Sequence, residues 1–334
     1  MRIGTEPEAV RDSVELDERG PRVVAIGGGT GLAQALHAIR GYAGSIDAVV
    51  TVADDGGSSG RLTQELDIPP PGDIRKCLIA LTPEESVWRR LFEYRFTGAD
   101  VEGHSLGNLI IAALADIEGS FELALRSSEQ LLGALGSVLP ASPMHLGLEA
   151  VMNDKTITGQ VNIALARGTI NRIGVLPPDA PASESAIRAI DAADQIVLGP
   201  GSLYTSVIAT LAVSGITKAV NRAKASLIYI TNLVTQDGET LGLDAADHLD
   251  ALVRMTGLRP PGAIVASDSP VHVDPPQEQL MVDGEAIATF GVDLITADRR
   301  GPRGARGGGR PGPRGGGGRG GGGPPRGRPG GPGG

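Results

Sequence analysis

Arg22-Val23-Val24-Ala25-Ile26-Gly27-Gly28-Gly29-Thr30-Gly31-Leu32 is the stretch on which the reading of this chain turns. Val23–Ile26 is a short unbroken apolar run ended by glycine, as expected of a strand buried on both faces. After the glycines, Leu32, Ala35, Leu36 and Ile39 recur at helical spacing. A glycine loop between strand and helix lets backbone approach an anion, and the helix N-terminus adds N–H groups and a positive dipole end. A tight turn is the plainer reading of the same residues. The strand–loop–helix context favours Gly28, Gly29, Thr30 and Gly31 as ligand contacts. This is not a dinucleotide fingerprint, because after Gly27-x-Gly29 the third glycine position falls on Leu32. Nor is it a P-loop, because no Gly-Lys-Ser/Thr follows.

Working outward, Ile46–Val52 reads as a second strand, and helical patterns dominate from Ile74 to Leu132. Leu148–Met152 and Thr156–Val161 flank Asn153-Asp154, which predicts a β-hairpin excursion. Gln195–Leu198, Ser226–Ile230 and Ala263–Ala266 read as further strands, with helices near Ser183–Ala193, Leu203–Val213 and Asp244–Met255. Such βαβ repetition predicts an α/β fold: a doubly wound, mainly parallel sheet with helices on both faces. Ligands of such sheets bind at the strand carboxyl ends, where the strand order reverses. Aromatics make up only 3% of the chain, so the core must be mostly Val, Ile, Leu and Ala.

Five more segments carry candidate site residues. Asp54-Asp55-Gly56-Gly57-Ser58-Ser59-Gly60-Arg61 follows the second strand. Asp54 and Asp55 there can hold a ribose hydroxyl or a metal such as Mg²⁺, while Ser58, Ser59 and Arg61 can clasp phosphate. A solvent loop of ordinary turn residues is the alternative. In Pro70-Pro71-Gly72-Asp73-Ile74-Arg75, Asp73 suits a helix N-cap. Arg75 in a first helical turn calls for an anionic partner, either a ligand phosphate or Asp54 or Asp55. Gly103-His104-Ser105-Leu106-Gly107-Asn108 matches the hydrolase elbow G-x-S-x-G, but a loop precedes it where an elbow needs a buried strand. Ser105 therefore reads as a helix opener, with His104 and Asn108 beside it. Gly199-Pro200-Gly201-Ser202-Leu203-Tyr204 repeats the strand–glycine loop–helix unit, so Gly199, Gly201 and Ser202 face a second phosphate and Tyr204 either stacks or packs. Thr231–Thr240, with Asn232, is polar and strand-terminal, suited to a sugar or base. His37, His145, His248 and His272 show no metal-ligand spacing.

Charge is unevenly placed. Nine of the 30 Lys and Arg lie in residues 299–334, leaving 21 against 39 Asp and Glu in the rest. An acidic body does not track a nucleic-acid backbone, so a bound anion must be held locally. Residues 299–334, rich in Gly, Pro and Arg, read as a disordered tail with at most weak contact with nucleic acid or an anionic membrane. Residues 1–20 read as a disordered acidic leader without a secretory apolar region, and 21–298 as the folded domain. Cys77 is the single cysteine, so no intrachain disulfide forms, as suits a reducing, cytoplasmic setting.

Together, Val24–Gly31, Thr51–Leu62, Pro70–Leu81, Gly103–Asn108, Gly199–Ser206 and Thr231–Thr240 resemble the YvcK family of gluconeogenesis factors, within the CofD-like superfamily of 2-phospho-L-lactate transferases. The resemblance spans about residues 22 to 270. It implies a Rossmann-like fold. It also implies binding of UDP-sugars such as UDP-N-acetylglucosamine, and a regulatory role in cell shape and cell-wall synthesis during gluconeogenic growth. NAD(P) is a further ligand to test, and cell-wall regulatory proteins and a second copy of the chain are the partners to test. The related transferases use Mg²⁺ and an acid after strand two, which maps onto Asp54 and Asp55. The following Gly-Gly-Ser-Ser-Gly-Arg resembles the gluconeogenesis-factor branch instead. Lys76 and Asp237 depart from that branch, which more often has Asn and Pro there.

Overall fold

The computed structural model describes residues 16–98, 101–267 and 269–297. The chain divides into two units, Met1–Arg299 and Arg300–Gly334. The second unit, with the tail contacts expected of it, lies outside the described residues, as do residues 1–15 of the leader. The elements are β1 (Arg22–Gly27), α1 (Gly29–Ile39), β2 (Ser45–Val50), α2 (Gly57–Leu66), α3 (Pro71–Leu81), α4 (Val87–Glu93), α5 (Leu106–Glu118), α6 (Phe121–Leu132) and β3 (Ser137–Pro140). There follow β4 (Gly147–Met152), β5 (Lys155–Thr158), α7 (Gln160–Ala166), β6 (Ile170–Leu176), α8 (Glu184–Ala192) and β7 (Gln195–Leu198). A π-helical segment (Leu203–Ile208) runs into α9 (Ala209–Ala212), followed by α10 (Ile216–Arg222), β8 (Ser226–Ile230), α11 (Ala245–Thr256), β9 (Ala263–Ser267), α12 (Gly284–Ala288) and β10 (Asp293–Ala297).

The main sheet has seven strands in the order β10-β9-β8-β7-β1-β2-β3, and all its pairs are parallel. The expected doubly wound α/β architecture forms. From β1 the chain winds outward to β2 and β3, then returns to β7 on the other side of β1 and winds the opposite way. Right-handed crossovers running in opposite directions place their helices on opposite faces. β1 therefore lies under helices on both sides, and every residue from Val23 to Gly27 is buried. The strand order reverses between β1 and β7.

Three features differ from expectation. Asn153 and Asp154 do turn the predicted hairpin, with φ of 48° and 61°, as a two-residue primed turn requires. However, its second strand ends at Thr158, and Gln160–Ala166 is helix. Only Ile163 of α7 is buried, so no apolar period marks that helix in the sequence. β6 then returns antiparallel to β4 and makes a three-stranded sheet in the order β5-β4-β6. The fold also begins before residue 21: Leu16 packs on the core and the Gly20 N–H donates to the Asp17 carbonyl at 2.6 Å.

Glu129 carries a testable consequence of this packing. It reaches from α6 to accept the Val138 N–H of edge strand β3 at 2.7 Å. Burial, with a smaller push from Asp47, raises its carboxyl from 4.5 to about 7. The unfolded chain ionises this group first, so the stability of the protonated native form is complete below about pH 4.5 and is lost as pH rises to about 7. Glu129→Gln keeps an acceptor and removes the charge. It should raise stability by about 1–2 kcal/mol at pH 8 and by nothing at pH 4, read from urea midpoints. Equal midpoints at pH 8 would refute this.

Candidate functional site

At the reversal of strand order, the loops after β1 and β7 touch backbone to backbone. A Cβ on Gly31 would stand 2.5 Å from the Pro200 carbonyl oxygen and 2.9 Å from the Gly201 nitrogen. One on Gly201 would stand 3.1 Å from the Gly28 carbonyl oxygen, and one on Gly28 would stand 2.8 Å from Asp73 Oδ2 and 3.3 Å from Ser206 Oγ. Gly29 and Gly199 hold φ of 69° and 67°, values that favour glycine. The two predicted glycine loops are thus brought together, backbone against backbone, at the crevice outside the carboxyl ends of β1 and β7.

The helix ends facing this crevice are occupied by the protein's own carboxylates. Asp73 is not the N-cap of α3, which is Pro70 with Pro71 as the first helical residue. It sits in the first turn of α3, 6% exposed. Its Oδ2 accepts the Gly29 N–H at the start of α1 at 2.7 Å, and its Oδ1 accepts from Lys76 Nζ at 2.9 Å. Glu239 does the same for the π-helical segment. Its Oε2 accepts the Tyr204 and Thr205 N–H groups at 3.3 and 3.4 Å, and its Oε1 accepts the Thr205 hydroxyl at 2.6 Å. Sequence reading missed Glu239, since one acid in a polar loop carries no distinguishing signal. Asn232 pairs with Gly201 in both directions, accepting its N–H at 2.9 Å and donating to its carbonyl at 2.8 Å. Ser202 Oγ donates to Gln236 at 2.8 Å. Tyr204 is 5% exposed, so it packs and does not stack on a ligand.

Asp54 and Asp55 diverge. Asp54 Oδ1 accepts the Gly56 N–H at 3.0 Å. Its carboxyl is pushed up by burial and further by the charge of Asp73, while the Gly56 N–H and Ser59 act to lower it. Asp55 instead accepts the Val161 N–H in the first turn of α7 at 3.1 Å, tying that helix to the loop after β2. The acid facing Asp54 is therefore Asp73, not Asp55. Among the described residues no cluster of three or more His, Cys, Asp or Glu could hold a metal ion.

Arg75 also differs from expectation. It is 7% exposed, and its partners are neutral: Nε donates to Asn108 Oδ1 at 2.9 Å and Nη1 to the Phe92 carbonyl at 3.1 Å. Asn108 Nδ2 donates to Ser58 Oγ at 3.1 Å, which lies 3.0 Å from His104 Nδ1. Ser105 is the N-cap of α5 and accepts the Asn108 N–H, as the helix-opener reading expects. Ser59 crowds Gly72, and Arg61, exposed, donates to the Glu102 carbonyl at 2.8 Å.

A cavity of about 330 Å³ adjoins the second half of the crevice, between α7 and the loop after β8. It is lined by Gln160, Val161, Ala164, Leu165, Thr205, Gln236 and Glu239. A larger one, about 680 Å³, lies between the α5–α6 junction and the segment before α8, and no predicted site residue lines it. None of the predicted site residues lines the 330 Å³ cavity either, but it reaches the crevice through Thr205, Gln236 and Glu239, where polar groups converge with apolar walls; a third, of about 240 Å³, is lined by Thr30 and Arg75 on the α1–α3 side.

Comparison with known proteins bears on this geometry. Residues 23–299 match the family described as 2-phospho-L-lactate transferase CofD. A gluconeogenesis factor of Halalkalibacterium halodurans is 42% identical over 283 residues, covering 82% of this chain and 88% of the relative. The gluconeogenesis factor of Bacillus subtilis strain 168 is 45% identical over 239 residues, covering 71% and 74%. A relative from Nostoc sp. strain PCC 7120 is 43% identical over 290 residues, or 84% of this chain, which spans 64% of that relative's length. A crystal structure of a Bacillus halodurans protein is 40% identical, with a TM-score of 0.81, covering 84% of this chain and 93% of that one.

Proposed function

The chain belongs to the CofD family, among the gluconeogenesis factors, and from that premise we propose that it is a regulator that binds a nucleotide-sugar of the UDP-N-acetylglucosamine kind in the β1/β7 crevice. One observation carries the reading: two glycine loops meet at the reversal of strand order, Gly31 against the backbone of Pro200 and Gly201, and Gly201 against that of Gly28, beside a cavity with polar and apolar walls. Of the first N–H groups of α1, that of Gly29 is taken by Asp73. Among the described residues no side chain accepts from Thr30 or Gly31, so theirs remain for a diphosphate. Gln160, Gln236 and the apolar wall of α7 suit the sugar or base. Such a protein would act in the cytoplasm on cell shape and cell-wall synthesis during gluconeogenic growth, through cell-wall regulatory proteins. Among the described residues no helix is long and apolar enough to cross a membrane.

A second reading, Mg²⁺-dependent transfer of a phospholactate-like group from a nucleotide diphosphate, is favoured by Asp54, a half-buried carboxylate in the loop after β2. Mg²⁺ keeps several waters and needs only one or two carboxylates beside substrate phosphates; Asp54 would hold it, while Asp73 is already engaged by the Gly29 N–H and Lys76 Nζ. Bound there, the ion would neutralise phosphate charge.

UDP-N-acetylglucosamine at a hundredfold excess over its Kd should stabilise the protein by about 2.7 kcal/mol, a rise in Tm of roughly 5 °C for a domain this size. Unmoved melting curves with UDP-sugars, NAD(P) and GDP alike would sink the crevice reading. Turnover of a nucleotide diphosphate in the same samples would favour the transferase.

A further inference from the structure

Four side chains beside the crevice form a hydrogen-bond chain whose direction is set by chemistry. Arg75 can only donate, so the Asn108 atom 2.9 Å from its Nε is the oxygen. The Asn108 amide nitrogen therefore faces Ser58 and donates to its Oγ at 3.1 Å. Ser58 is 7% exposed and has one hydrogen to give. Among the described residues its remaining partner is His104 Nδ1 at 3.0 Å. Were His104 to donate instead, the Ser58 hydrogen would be buried without an acceptor, which folded proteins avoid. Nδ1 must therefore accept, and the ring's hydrogen stands on Nε2.

That hydrogen has somewhere to go. Among the described residues Nε2 of His104 has no partner, and it is not among the sealed-off unpartnered atoms, unlike Nε2 of His248. The residue's main chain is also fixed: the His104 N–H donates to the Val101 carbonyl and its carbonyl accepts the Phe96 N–H, both at 3.0 Å. Burial, and then the charge of Arg61, keep the imidazole pKa below its ordinary value, with Arg95 adding to the effect and Glu65 opposing it. The neighbourhood therefore favours an uncharged ring beside two guanidinium groups, a setting for an anionic oxygen.

We propose that Arg75, Asn108 and Ser58 lock His104 into its Nε2–H tautomer, and that His104 offers this hydrogen to a phosphate or carboxylate oxygen of the bound ligand. His104 is then a ligand-contacting residue, and the other three are positioning residues acting through it. The proposal rests on the crevice reading above, and adds a neutral donor of fixed direction at its β2 side.

The test is nitrogen NMR on full-length protein labelled with ¹⁵N-histidine and ¹⁵N-glycine, with the His104 signal assigned by its loss in His104→Gln. At pH 7.5 the free protein should show His104 as the Nε2–H tautomer. In Asn108→Asp the new carboxylate accepts the Ser58 hydrogen, so His104 should move to Nδ1–H or to the charged form while α5 stays folded by circular dichroism. UDP and UDP-N-acetylglucosamine should shift the Nε2 resonance of the wild-type protein, and Asn108→Asp should bind them at least tenfold more weakly. Nδ1–H or imidazolium in the free wild-type protein would overturn the relay. A Nε2 signal that stays still while the Gly29 and Gly201 amides shift would overturn the donor role and leave the crevice reading standing. Silence from both would overturn the donor role together with the crevice reading.

Discussion

Gly31→Ala should lower stability by about 3 kcal/mol, a fall in Tm of roughly 6 °C, and abolish nucleotide-sugar binding. Gly31 lies inside α1 with helical backbone, so by propensity alone the added methyl would stabilise by about 0.5–1 kcal/mol. Packing decides the outcome. The methyl would meet the carbonyl carbon and oxygen of Pro200 and the Gly201 nitrogen, all within 2.9 Å, and backbone cannot rotate away as a side chain can. To relieve the clash, the β1 and β7 loops must part, which opens the crevice floor. Gly174→Ala is the control. Gly174 lies in β6 and nothing stands within 4 Å of its Cβ, so Tm should hold or rise by roughly 1–2 °C and binding should not change. If Gly31→Ala melts with the wild-type protein, the two loops do not pack as described.

The same close approach explains what could be read from sequence. β1, β7, β8 and β9 are short apolar runs ended by glycine or polar residues, because a strand covered on both faces must be apolar along its whole length. Their helices show a one-sided apolar period for the complementary reason. β3, β6 and β10 were not legible. Ser137–Pro140 is a four-residue edge strand that ends in proline, β10 pairs along one edge only, and the buried residues of β6, Ile170, Ile173 and Val175, do not alternate strictly because its register with β4 shifts.

At the site, glycine loops could be located but carboxylates could not be assigned. Asp73 sits one turn into a helix and looks like a cap, yet it serves a different helix, 44 residues earlier in the chain. Arg75 looks like an anion clamp, yet it holds the amide of Asn108 and a carbonyl. A residue's type and its local element say what bonds it can make. Which bonds it does make depends on what the sheet order brings beside it, and that order is not written in any single segment. The consequence for function is physical. The crevice already contains two acids at helix starts, so an anionic ligand must either use the N–H groups they leave free or displace them.

Glu239→Ala should separate a structural acid from a ligand-responsive one. Glu239 is 7% exposed and accepts four hydrogen bonds: from the Tyr204 and Thr205 N–H groups, the Thr205 hydroxyl and Gln236 Nε2. Alanine leaves these donors without their acceptor in a half-closed cavity. The expected loss is about 2–4 kcal/mol, or roughly 4–8 °C in Tm. Burial raises the Glu239 carboxyl above its ordinary value, which tempers the loss, because the ionised acid is itself disfavoured there. The same substitution removes a negative charge from the wall of the ligand cavity. A nucleotide-sugar should therefore recover more Tm in Glu239→Ala than in the wild-type protein, since its anionic or hydroxyl oxygens can take over the freed N–H groups. A Tm unchanged by Glu239→Ala would show that the cap contributes no stability. A large loss that ligand does not recover preferentially would place the ligand away from Glu239, on the β1 and β2 side of the crevice.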